Sequence, residues 1–122
     1  MMYGKRNWFF PDAELPPMGM DPEVYGHESI IILNPNAVDA HVNITLYWED
    51  QPPTEGIIMD IGAGRVRCER ATARDGFLGV KIPEGKQYAF GLCSDLPVIA
   101  QYGRLDVRQS NMAFYTTPGY TE

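Results

Sequence analysis

A chain of 122 residues has room for one domain and not two. At this length roughly 65% of the unfolded surface is buried on folding, so a core forms without disulfide or metal support. Hydrophobic residues at 44% and charged residues at 21% exclude intrinsic disorder, and no run reaches the length of a membrane span. The start, MMYGKRNWFF, meets PDAELPP at once and lacks the apolar stretch of a signal peptide. The net charge is -6, and the ten Lys and Arg are scattered. That field argues against nucleic acid, which needs cations gathered against phosphates.

In chain order, ESIIILN (28–34) is a continuous apolar run closed by the turn NPN. HVNITLYWED (41–50) alternates strictly, with Val42, Ile44, Leu46 and Trp48 on one face, which is the period of a half-buried strand. The short turn PNAVDA between the two runs predicts an antiparallel hairpin. QPPTEG breaks the pattern. GIIMDI, the tight turn GAG and RVRCERA then read as a second hairpin, with Ile58, Ile61 and Val66 in the core. LGVKI is a further strand before the turn PEGK, and YAFGLCS another before DLP. VIAQYGRLDV closes the sheet, while MMYGK and TTPGYTE read as loose tails. No stretch carries sustained helical periodicity. Seven or so short strands punctuated by Gly and Pro predict an all-β protein, a single-domain antiparallel β-sandwich or barrel spanning 1–122 with its core at about 6–110.

Catalytic patterns are absent. G-x-S-x-G, the P-loop and H-E-x-x-H do not occur, and Ser94 and Ser110 have no histidine beside them. Two histidines without H-x-H spacing make a poor metal site, and adjacent strand residues such as His27 and Glu28 point to opposite faces. We therefore expect no enzyme, no metal and no cofactor. Cys68 and Cys93 fit a reduced, cytoplasmic protein in which each packs as a small apolar residue.

The last strand carries the candidate site. In QYGRLDVRQ (101–109), Arg104, Asp106 and Arg108 share one face at about 6.6 Å spacing, so both arginines can reach the carboxylate. A solvent-facing charge ladder is the plain reading. On the other face Ile99, Leu105 and Val107 are expected to pack the core, with Gln101 and the notch at Gly103 between them. A strand with polar features on both faces points to a ligand pocket or an interface.

GHESIIILNPNAVDAHVNITLYWED, a proline-containing break and then LPVIAQYGRLDVRQ resemble the family of the cyanobacterial sensory rhodopsin transducer. Trp8, Glu14 and the Pro16-Pro17 pair fit that family's opening, and the likeness extends over most of 8–117. It implies a single-domain β-sandwich that assembles as a homotetramer and binds a small polar ligand, a sugar or related metabolite. Some members act beside a photoreceptor, so a protein partner is the alternative ligand. A link of the family to DNA conflicts with the charge of -6. Under this resemblance His27, Glu28, Gln101, Arg104 and Asp106 supply planar polar contacts to ligand and Trp8, Tyr47 or Trp48 an aromatic face, Trp48 fitting the core better by its phase, while Arg108 and Gln109 suit a subunit interface.

Overall fold

The computed structural model describes residues 2–122 and consists of strands and connecting loops. The strands are β1 (Lys5–Glu14), β2 (His27–Asn34), β3 (Ala40–Trp48), β4 (Thr54–Ile61), β5 (Arg65–Ala71), β6 (Gln87–Asp106), β7 (Ala113–Thr117) and β8 (Tyr120–Thr121). All pairs are antiparallel. One sheet has the order β4-β3-β6-β1-β8, and the other is β5-β2-β6-β7. The expected all-β, sandwich-like class is the observed one.

The two sheets share β6. Its first half pairs with β3 up to Val42 opposite Ser94, and with β1, whose Lys5 stands opposite Val98. Its second half pairs with β2 from Leu33 opposite Ile99 onward, and with β7. The chain passes between the sheets near Asp95–Pro97, where proline's missing N–H is tolerated because the ladder changes partners there. Across the interior Tyr102 of the second sheet faces Phe10 and Phe90 of the first, with ring centroids 6.3 and 6.2 Å apart. Phe77, from the loop between β5 and β6, closes the core edge-on to Phe90 at 5.2 Å. Gly26 marks the tightest approach of that core's wall: a Cβ there would stand 1.9 Å from the Pro17 carbonyl oxygen.

Several expectations change. The sheet-closing strand does not begin after DLP: β6 is continuous, and the inward parity of Tyr88, Phe90 and Leu92 runs on through Val98, Ala100 and Tyr102. Ile99 and Gln101 therefore face outward, and Leu105 and Val107 are only half-buried, the reverse of the expected facing. Treated as a separate strand with apolar residues on both faces, that run had no fixed phase. In β4 the buried residues are Ile57, Met59 and Ile61, and Ile58 is outside for the same reason. Val66 is also exposed, being on the outer face of an edge strand.

Neither expected hairpin forms, because β2 pairs with β5 and β6 while β3 pairs with β4 and β6. The short turns instead carry the chain from one sheet to the other. LGVKI forms no strand, and only an isolated bridge joins Phe77 to Val80. The C-terminal tail is not loose, since β7 covers the edge of β6 and β8 that of β1. Cys68 and Cys93 are free thiols on outward-facing positions, exposed rather than packed.

Candidate functional site

The even-numbered face of β2 is apolar except at its two ends, where Glu28 and Asn34 are both fully buried. Asn34 is structural. Its Nδ2 donates to the carbonyls of Val38, Ile61 and Gly62 at 2.9, 3.0 and 3.2 Å, and its Oδ1 accepts the Asn36 backbone N–H at 3.0 Å. Glu28 is different, because a carboxylate without solvent needs every oxygen satisfied. The phenols of Tyr88 and Tyr102 donate to it, one to each oxygen, and the backbone N–H of Glu14 donates at 3.1 Å. Burial raises the carboxyl above its usual range despite these three donors. Burial and the neighbouring carboxylate push both phenols well up, so they stay donors at any physiological pH.

Register places Arg104 of β6 directly opposite Glu28. Its guanidinium lies over the Tyr115 ring at 5.0 Å, and Nη1 donates to the Glu14 carbonyl at 3.2 Å. The Glu14 backbone is thus held at both its N–H and its C=O, by Glu28 and Arg104 respectively. Asp106 is gripped by Arg108 instead, whose Nε reaches its oxygens at 2.9 and 3.0 Å, and this pairing lowers the Asp106 carboxyl.

The cluster backs a cleft of about 610 Å³ lined by Glu14, Trp48, Glu49, Asp50, Gln51 and Lys86, together with Pro83, Gly85 and Gln87. Trp48 is half-buried at the end of β3. It stacks on Tyr88 with centroids 5.6 Å apart and an interplanar angle of 28°, and its indole N–H donates to Thr54 Oγ1 at 2.9 Å. An unbroken chain of contacts therefore runs from the cleft through Trp48, Tyr88, Glu28 and Tyr102 to Tyr115 on β7.

Of the residues singled out in the sequence, Glu28 and Arg104 come together, and Asp106 lies two positions further along the same face. The others do not join them. His27 points to the opposite side of β2 from Glu28, its Nδ1 donating to the Tyr25 carbonyl at 2.8 Å, and burial lowers its pKa. Gln101 is exposed on the outer face. Trp8 sits in the core at the far end of β1, its indole donating to the carbonyls of Lys5 and Val98 at 3.1 and 3.2 Å. Arg108 and Gln109 are exposed at the start of the β6–β7 turn.

Sequence reasoning missed Tyr88 and Tyr102, gave Glu14 no role in the site, and favoured the core over a pocket for Trp48, which packs against the core and also borders the cleft. A signal existed for the tyrosines, since a buried phenol in an apolar run requires a polar partner. Among the described residues no group of three or more His, Cys, Asp or Glu is arranged to hold a metal. Among them, too, no helix is long and apolar enough to cross a membrane.

Comparison with known proteins places this architecture. No curated protein matches the sequence. A crystal structure of Thermotoga maritima 1070 is similar at 34% identity with a TM-score of 0.85, covering 99% of this chain and 97% of the other. The Anabaena sensory rhodopsin transducer is similar at 30% identity and a TM-score of 0.72, over 91% of this chain and 96% of that one. The family model described as Anabaena sensory rhodopsin transducer matches residues 3–121. The chain belongs to the sensory rhodopsin transducer family.

Proposed function

We propose that this chain is a non-catalytic binding domain that takes a small polar ligand, a sugar or related metabolite, in the Trp48 cleft and passes its occupancy on as a signal. The observation that carries the reading is the half-exposed indole of Trp48 set among Glu14, Gln51, Lys86 and Gln87. A polyhydroxylated molecule offers C–H faces to an aromatic ring and hydroxyls to planar polar groups, and such sites are concave with a few placed polar side chains. Glu28 and Arg104 act as positioning residues: they fix the Glu14 backbone and, through Tyr88, the plane of Trp48. Asp106 orients Arg108 and is not assigned a ligand contact.

A thermal-shift screen against monosaccharides, sugar acids and polyols, read beside light scattering, tests this. A ligand at one hundred times its Kd adds about 2.7 kcal/mol, enough to raise Tm by several degrees. Trp48→Ala should abolish the shift. Arg104→Ala should weaken binding about three- to tenfold with the mass in solution unchanged, as expected of a residue acting through Glu14. A flat screen would remove the reading.

A second reading, in which the ligand is a protein such as a photoreceptor, is favoured by the outer face of the second sheet. There Val66, Leu33 and Ile99 form one row across three strands, at 64, 40 and 41% exposure. The same face suits assembly into a homotetramer in the cytoplasm, with Arg108 and Gln109 in its polar rim. Ile99→Glu should then lower the mass in solution without affecting a ligand in the cleft.

A further inference from the structure

We infer that the cleft selects a positively charged ligand, a hydroxylated amine such as an amino sugar, over neutral or acidic molecules of the same shape. The inference rests on the cleft being the binding site and adds the sign of the ligand's charge.

Glu14, Glu49 and Asp50 bring three carboxylates to the cleft, and Lys86 is its one cation. Lys86 Nζ already lies 4.0 Å from Asp50, so that pair cancels and, of the lining's own charges, Glu14 and Glu49 remain in excess, with Arg108 outside the lining acting on Glu14. Two of the lining's donors are committed as well. The Trp48 indole N–H is bonded to Thr54, leaving the ring itself to face a ligand. Gln87 turns its Nε2 to the carbonyls of Pro11, Ala13 and Tyr88, at 3.3, 3.2 and 3.3 Å, which leaves Oε1 as its available group.

What faces the cleft is therefore mostly carboxylate and amide oxygen around an indole, with the Gln51 amide and the Lys86 ammonium as its remaining donors. A ligand that brings donors fits this excess of acceptors. An ammonium brings three of them with a charge, and it is attracted both by carboxylates and by the negative face of a tryptophan. A carboxylate or phosphate would meet like charge instead. The chain's net charge of -6 adds a field that draws cations in.

Isothermal titration with glucosamine, N-acetylglucosamine and glucose separates charge from shape, because acetylation removes the positive charge and keeps the ring. Glucosamine should bind at least about tenfold more tightly than the other two, a difference of about 1.4 kcal/mol. That preference should shrink at high salt and vanish in Glu14→Gln/Glu49→Gln, whose changes are at solvent-accessible positions and leave the fold intact. If N-acetylglucosamine or glucose binds as tightly as glucosamine, and Trp48→Ala abolishes that binding, the charge inference falls while the cleft reading stands. Choline and 1,4-diaminobutane extend the test beyond sugars. If no amine binds at about 10 mM while a sugar acid or neutral polyol does, the inference is again overturned. If none of these probes binds at all, the inference and the cleft reading fall together.

Discussion

Glu28 is the residue on which the interior depends. A carboxyl whose pKa is raised by burial holds its proton more tightly in the folded chain than in the unfolded one. The stability tied to it is full below the unfolded value, about 4.3, and is lost as pH rises through the higher folded value. Glu28→Gln removes this titration while keeping one acceptor for a phenol. The difference in unfolding free energy, wild type minus variant, should therefore fall with pH from about 4 upward, by at most about 1.4 kcal/mol per pH unit, and level off above the folded pKa. Urea titrations of both proteins across that range measure it, and a pH-independent difference would show that folding leaves the Glu28 carboxyl at its unfolded pKa. At this scale the sequence was half legible. Glu28 and Arg104 stand out as charges bordering apolar runs. Their setting does not, because Glu14, Tyr88 and Tyr102 reach Glu28 across 14, 60 and 74 positions of chain.

Elements were readable where one face is polar and one apolar. β3 is the clear case, with Val42, Ile44 and Leu46 buried as its alternation requires. β4 and the second half of β6 were not, since Ile57 and Ile58, or Val98 and Ile99, are equally apolar and only the tertiary partner decides which turns inward. Pairing was hidden for a related reason: a strand's partner is set by which edges remain open, and a short turn does not reveal that here. Asn34 is what fixes these sheet-to-sheet crossings. It ties the β2–β3 and β4–β5 turns together, while Asn36, bonded to its Oδ1, donates to Pro97 in β6 at 2.8 Å. Asn34→Ala would strand three carbonyls and release Asn36. It should cost about 2–4 kcal/mol, read as a lower urea midpoint with an unchanged m-value. A loss under about 0.5 kcal/mol would mean that water replaces the amide.

For the whole molecule, composition and punctuation were enough to give the all-β class, because the number of short strands leaves few architectures. The C-terminal tail was misjudged, as the five residues of β7, four of them exposed, and the two of β8 carry little pattern of their own. They matter to the whole nonetheless. Tyr115 covers Tyr102 and Arg104, and Gly119 lies against the Phe10 ring so closely that a Cβ would stand 2.5 Å from it. Removing 111–122 should lower Tm by at least about 10 °C, as burial lost at two sheet edges amounts to several kcal/mol. An unchanged Tm in a scanning calorimeter would reduce both strands to decoration. The shared strand β6 has a consequence for how the protein is made. Until residues 87–106 have left the ribosome, the chain can form only the isolated pairs β3–β4 and β2–β5, neither of which is a stable sheet. At about 5–20 residues per second that segment takes roughly one to four seconds to emerge. For that interval the nascent chain carries two half-built sheets with open edges, and both close on the arrival of one strand.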